Sequence, residues 1–298
     1  MALYALGDLH LSFGCPERPA NLRKGVWRDH EEKIRNNWIS TVSKDDTIVL
    51  TGDFSHGKTD EQLRPDIDFL LALPGRKIML RGNHDMFWDA KKTAKLNEKY
   101  AGSLFFLQDN HAVYESKSKK YALVGTKGYC FENLDSLEHC MKLEEREAAR
   151  LRRSFDSAVS AGLGNFIMFL HYPPTSPLWP PTPELCKALG MSRKEEAVIR
   201  RDERALLLKR NGDNNGHNLV INLKKLPREL KNRASCVTQI DISPFTEIAE
   251  EYGAGTVIYS HAHGKERFGD SLSGNVRGVR YQLVSGDYLD FRPYKIME

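Results

Sequence analysis

The sequence predicts an α/β fold in which neighbouring strands run parallel. Along the first 80 residues, short apolar runs at 2–7, 47–50 and 77–80 alternate with segments of helical periodicity. Five apolar runs end in residues that bind metals or move protons: Asp8-Leu9-His10, Gly52-Asp53, Gly82-Asn83-His84-Asp85, His171 and His261-Ala262-His263. Open parallel sheets gather ligands at the C-terminal ends of their strands, which is where these motifs fall.

The elements follow in order. After the first strand, Pro16, Pro19 and two glycines mark a loop over 12–25. Trp27, Ile34, Trp38 and Val42 recur at helical spacing with charged residues between them, which predicts an amphipathic helix over about 28–43 with both tryptophans in the core. Ile67, Leu70, Leu71 and Leu73 mark a second helix, stopped by Pro74-Gly75. The runs at 103–107 and 121–124 read as strands of a second sheet, closing in Gly125-Thr126-Lys127-Gly128-Tyr129. Residues 137–161 form a highly charged helix whose ion pairs are each worth little. A strand over 165–170 runs into His171, and Pro173-Pro174 keeps the chain extended beyond it. A helix ends near Tyr252, and 256–259 is the strand before the His-x-His pair. Runs at 279–284 and 288–291 read as closing strands that pair through a turn at Gly286-Asp287.

The stretch 176–243 differs in character. It opens with Trp179-Pro180-Pro181, holds an Asn- and Gly-rich turn over 211–216, and carries 13 Lys and Arg against 8 Asp and Glu, a net +5 in a chain whose total is +4. It reads as an inserted basic cap, helical near 193–210, on one domain whose core is 1–175 and 244–298. Such a charge attracts phosphate-rich substrates or nucleic acid, and a solvated basic helix without a partner explains it equally well. The chain has 298 residues, enough for a sizeable core, and 28% of them are charged. The apolar start lacks a basic leader and meets Asp8 and His10 at once, so neither a signal peptide nor a membrane span is expected. Cys15, Cys130, Cys140, Cys186 and Cys236 are odd in number and show no Cys-x-x-Cys spacing, which suits reduced thiols and a cytoplasmic setting.

The motif residues suit one chemistry. Asp8 and His10 are two apart, so in an extended segment both point to one side and can share an ion, as can His261 and His263. Asp53, Asn83 and His171 add donors from separate strand ends. Carboxylate, imidazole and amide ligands without thiolate favour Mn²⁺ or Fe²⁺, with Zn²⁺ as a further candidate. Seven ligands exceed what one catalytic ion takes, whereas two divalent ions bridged by a shared carboxylate use them all. Such a pair generates a hydroxide nucleophile and clamps a phosphoryl oxygen for in-line phosphoester hydrolysis. His84 is then left to protonate the leaving oxygen, with Asp85 to orient it. Each histidine taken singly is as well explained by a structural hydrogen bond. The company of the others gives the set its meaning, and His30, His111, His139 and His217, which lack that company, are read as structural.

Asp8-x-His10, Gly52-Asp53, Gly82-Asn83-His84-Asp85, His171 and His261-x-His263 together resemble, in order, the signature of the calcineurin-like metallophosphoesterase superfamily. The resemblance covers the chain except 176–243. Trp27, Leu73-Pro74-Gly75 and Gly125-Thr126-Lys127-Gly128-Tyr129 resemble a bacterial group of small phosphohydrolases within it. The resemblance implies a four-layer αββα sandwich of two mixed sheets flanked by helices. It also implies one metal held by Asp8, His10, Asp53 and His263 and a second held by Asp53, Asn83, His171 and His261, with Asp53 as the bridge.

Departures from the family pattern bear on the substrate. Ser260 stands where glycine is common before the His-x-His pair, and Phe54-Ser55-His56-Gly57 replaces the Val-Asp-Arg-Gly of protein serine/threonine phosphatases. Protein phosphatase activity is thereby disfavoured. His56 and Lys127 are candidate substrate contacts, each with a plain loop or surface role as the alternative. The expected function is hydrolysis of a small phosphate mono- or diester. The alternatives are a nuclease or RNA phosphodiesterase gripping nucleic acid through the basic cap, and a non-catalytic binding scaffold, which predicts lost ligands where none is missing.

Overall fold

The computed structural model describes residues 1–15, 17, 24–116, 119–130, 137–175, 243–269 and 271–298. The cap expected over 176–243, with its helix near 193–210, lies outside the described residues apart from Ser243. In chain order the elements are β1 (Leu3–Leu6), α1 (His30–Thr41), β2 (Thr47–Leu50), α2 (Asp60–Leu71), β3 (Arg76–Leu80), α3 (Thr93–Lys99), β4 (Leu104–Leu107), β5 (His111–Ser116), β6 (Lys119–Thr126), α4 (Leu137–Ser160) and β7 (Phe166–Leu170). After the undescribed stretch come α5 (Pro244–Glu251), β8 (Thr256–Tyr259), α6 (Lys265–Gly269), β9 (Gly274–Val276), β10 (Val279–Leu283) and β11 (Tyr294–Met297).

The strands form two mixed sheets, ordered β11-β1-β2-β3-β4 and β5-β6-β7-β8-β10-β9. β1 to β4 pair parallel in sequence order, as do β6-β7-β8 and β8-β10, while β11, β5 and β9 add antiparallel edges. Strand side chains alternate between faces, and here both faces are apolar because both are covered. Leu3, Ala5, Val49, Ile78 and Leu80 meet Leu123, Ile167, Phe169 and Ile258 between the sheets. On the outer face of the first sheet, Tyr4, Leu6, Ile48, Leu50 and Met79 pack against Ile34 and Trp38 of α1 and Leu63, Ile67 and Leu70 of α2. On the outer face of the second, Phe166, Met168 and Leu170 pack against Leu151, Phe155 and Ala158 of α4 and Phe245, Ile248 and Ala249 of α5. Helix, sheet, sheet, helix is the αββα sandwich expected.

Two strand assignments need correction. The run at 103–107 belongs to the first sheet, not the second: β4 pairs parallel with β3, Lys77 opposite Leu104 through Leu80 opposite Leu107, because α3 supplies another crossover. Residues 288–291 are a turn instead of a strand. Phe291 N–H donates to the Gly286 carbonyl at 2.7 Å and Tyr288 and Leu289 N–H to that of Ser285 at 3.1 Å, which curls the chain and buries the Phe291 ring beside Trp27. The closing strand is β11, antiparallel to β1 in the other sheet. No helix among the described residues is long and apolar enough to cross a membrane. Cys15 is a free thiol.

Candidate metal centre

The parallel strands β1, β2 and β3 of one sheet and β7 and β8 of the other end on the same side of the sandwich, and main-chain bonds tie their ends together. Asp8 N–H donates to the Gly52 carbonyl at 2.9 Å, His10 N–H to that of Asp53 at 2.9 Å and Ser260 N–H to that of His171 at 3.1 Å, while His261 N–H reaches across to Asp8 Oδ2 at 3.0 Å. The turns are tight enough to force left-handed backbone: φ is +57° at Asp8, +45° at His10, +53° at Asp53 and +71° at His261. Each such non-glycine residue costs about 1–3 kcal/mol, a strain kept where a site needs it. Gly52, at φ +103°, has no room for a side chain, since a Cβ there would lie 2.7 Å from His171 Nδ1. At Gly82 a Cβ would collide with Asp53 Oδ1 and the Asp53 nitrogen.

Two groups of ligating side chains result, Asp8 with His10 and His263, and Asp53 with His171 and His261, each with its ligand atoms within 4.8 Å of one another. Asp53 stands between them, with Oδ2 3.7 Å from His10 Nε2 and Oδ1 3.5 Å from His171 Nε2. Asn83 Oδ1 lies 2.7 Å from His171 Nε2, and His261 Nδ1 lies 3.1 Å from that same nitrogen. All seven residues expected as ligands are thus brought together.

The donor set fits divalent cations. Burial holds His171 well below the usual imidazole range, so its ring is neutral with a single N–H. Yet Nδ1 faces the Thr51 carbonyl at 3.0 Å while Nε2 faces Asn83 Oδ1. With the N–H spent on Thr51, Nε2 and Asn83 Oδ1 face each other as lone pairs at 2.7 Å, which a cation between them satisfies. Burial, reinforced by His263, His56, His84 and His171, likewise keeps His10 well below its ordinary pKa and available as a neutral ligand. Asp8 Oδ1, buried with no hydrogen-bond partner, points between the groups 3.8 Å from His263 Nε2. Burial raises Asp8 while His263 and His261 pull it down, the balance of a carboxylate set among ligands.

The remaining candidates stand around this centre. His84 Nε2 is 4.0 Å from Asp53 Oδ2 and its side chain is 44% exposed, at the mouth of the site. Asp85, expected to orient His84, does something else. Its Oδ2 accepts from the N–H groups of Asp53 and Gly82 (2.9 and 2.7 Å), and its Oδ1 from those of Phe54 and Ser55 (2.8 and 3.1 Å). Four amides saturate the carboxylate, which therefore clamps the loops after β2 and β3 together. Burial still pushes its pKa up to about 6 against those bonds. His56 sits behind His10, with Nε2 3.0 Å from His10 Nδ1 and the rings stacked at 5.0 Å, and burial lowers it to about 4. Lys127 lies over the Tyr172 ring with Nζ 5.4 Å from its centroid, and that ring is 4.3 Å from His261. Burial lowers the Lys127 pKa.

Three further residues stand near the site. Trp27, expected only in the core, sets its ring edge-on to His10 at 5.3 Å and His263 at 5.4 Å. His30, read as structural, places Nε2 3.0 Å from the carbonyl of Leu9, between two ligands. Asp287 bonds His263 Nδ1 through Oδ1 at 2.9 Å. Nothing in their spacing marks them, because each meets the site through the fold.

An αββα sandwich with paired groups of metal-ligating residues at its strand ends is the arrangement of metal-dependent phosphoesterases. The chain belongs to the calcineurin-like phosphoesterase family, whose model matches residues 1–265. It is 36% identical over 78 residues to the Gene 66 protein of Mycobacterium phage L5 and 34% identical over 93 residues to that of Mycobacterium phage D29. Those stretches are 26% and 30% of this chain and 37% and 45% of the phage proteins, so the chain spans less than half the length of these relatives. Similar solved structures include the phosphopantetheinyl hydrolase of Mycobacterium tuberculosis, at 13% identity and a TM-score of 0.49, and a protein of unknown function from Aquifex aeolicus, at 16% and 0.42. Each comparison covers 99% of this chain and 95% of the other.

Proposed function

We propose that this chain is a dinuclear phosphoester hydrolase acting on a small phosphate mono- or diester, with Mn²⁺ or Fe²⁺ as its ions. The observation that carries this reading is the placement of Asp53, which turns one carboxylate oxygen toward each ligand group. Asp8, His10, Asp53 and His263 would hold one ion, and Asp53, Asn83, His171 and His261 the other. When bound, two such ions supply Lewis-acid activation of water and of the phosphoryl oxygen. His84 holds a proton at Nε2, at the open side of Asp53, and passes it to the departing ester oxygen. Lys127, with Nζ over the Tyr172 ring, offers charge to the phosphate from the side of His171 and His261.

Hydrolysis of an aryl phosphomonoester and a bis-aryl phosphodiester, measured side by side on chelator-stripped protein with and without Mn²⁺, tests the proposal. Metal-restored turnover supports it, and the preferred ester names the substrate class. Two bound ions per chain with no turnover of either ester would count against small aryl esters as substrates and point to a narrow natural substrate or to a binding scaffold.

A further inference from the structure

We infer that Asp287 is a positioning residue for the ion held by Asp8, His10, Asp53 and His263, an inference that rests on the dinuclear reading above. A carboxylate in a short contact with an imidazole has only lone pairs to offer, so the 2.9 Å bond from His263 Nδ1 to Asp287 Oδ1 requires the hydrogen on Nδ1. In the neutral ring that leaves Nε2 as a lone pair, and Nε2 is the nitrogen facing Asp8 Oδ1 at 3.8 Å. One contact therefore fixes both the tautomer and the rotation of the ring. A carboxylate behind a ligating histidine also makes the imidazole a stronger donor.

Asp287 is itself held. Its side chain is 6% exposed, and its other oxygen accepts from Gly264 N–H at 3.2 Å, so it is bonded to two consecutive residues of the loop after β8. The turn that carries it is closed by the Gly286–Phe291 bond and starts at Ser285, which bridges to Gly7 beside the Asp8 loop. Asp287 thus connects the loop bearing His263 to the loop bearing Asp8. Two other ligand histidines are backed differently: His10 Nδ1 faces a histidine nitrogen and His171 Nδ1 a main-chain carbonyl. The anionic backing makes His263 a more basic ligand than His10 or His171, and the ion bound there is the one that depends on it.

The test is titration of chelator-stripped wild type, Asp287→Asn and Asp287→Ala with Co²⁺, read by calorimetry and visible absorption, alongside thermal melts of the stripped proteins. The expected result is two ions per chain in wild type. In both variants one ion should weaken by about 10–100-fold and its absorption band should change, while the second ion and the metal-free melting temperature stay as in wild type. Asn keeps the shape and loses the charge, so it should fall between wild type and Ala. Unchanged affinities and spectra would overturn the inference. So would loss of both ions together with a lower melting temperature, which would make Asp287 a support of the turn alone. Wild type taking up no second ion would instead sink the dinuclear reading.

Discussion

Asp53 and His84 stand one hydrogen bond apart, Asp53 Oδ1 accepting from His84 N–H at 2.8 Å, yet their side chains face different tasks. Asp53→Asn removes the charge shared by both ligand groups, so metal content should fall below one ion per chain and turnover should vanish. His84→Ala leaves the ligands in place, so metal content should stay near two while substrates with poor leaving groups slow by about 10²–10⁴-fold and activated aryl esters far less. Metal analysis and a leaving-group series decide it, and equal metal loss in both variants would refute the division of roles. Gly82→Ala tests the geometry without replacing a ligand. The new Cβ would collide with Asp53 Oδ1, so the variant should lose metal and about 1–3 kcal/mol of stability in urea melts. Wild-type metal content in that variant would show that the loop yields more than its packing implies. The ligands were legible from sequence because each follows an apolar run directly. Asp287 was not, because its partner lies 24 residues back in the chain and the pairing exists only once β8 and β10 align.

At the scale of elements, the sequence reading succeeded where apolar residues repeat and failed where they do not. Helix α1 was visible because Ile34 and Trp38 are buried at helical spacing. α3 was missed because Thr93 is its only buried residue and no stripe exists to read. Without that crossover, β4 was put in the wrong sheet. Residues 288–291 alternate apolar and polar as a strand does, but the buried Phe291 ring is served by a turn that adopts φ of +46° at Asp290 and +58° at Phe291. Helix α2 hides a titratable group on its buried face. Asp66 is fully buried, accepting from Ser55 Oγ at 2.5 Å and Phe13 N–H at 2.9 Å, and burial, outweighing those bonds, pushes it up to about 6 from 3.8. A raised folded pKa means that the folded state favours the proton. Its contribution to stability is complete below about pH 4 and is lost as pH rises through 6. Asp66→Asn should therefore gain on wild type by roughly 1–3 kcal/mol between pH 4 and 7. Urea unfolding across that range checks it, and a difference that does not vary with pH would show that Asp66 does not titrate there.

For the whole molecule, the basic segment inferred from composition raises the question of whether the metal-binding core needs it. The described residues on either side of it are adjacent: Ser243 Oγ donates to the Pro174 carbonyl at 2.6 Å. Ser243 also caps α5, accepting from the Phe245 and Thr246 N–H groups at 3.2 Å each, while Thr246 Oγ1 accepts from Ser243 N–H at 2.9 Å. The chain therefore leaves β7 and re-enters α5 at one point, and the outer-layer helices α4 and α5 pack on one core with Phe166, Met168 and Leu170 of β7. A link across that gap needs to span only a few residues, and loop closure of that length costs little. Replacing 176–242 with a short Gly-Ser linker should give a chain that still unfolds cooperatively and still binds two Mn²⁺ ions, because all seven candidate ligands lie outside the deletion. Its net charge falls to near neutral, so any affinity for oligonucleotide that weakens with salt should disappear while hydrolysis of small aryl esters persists. Salt-dependent binding retained after the deletion would move the nucleic-acid contact to the core. Failure of the shortened chain to bind metal would show that the segment helps to build the centre.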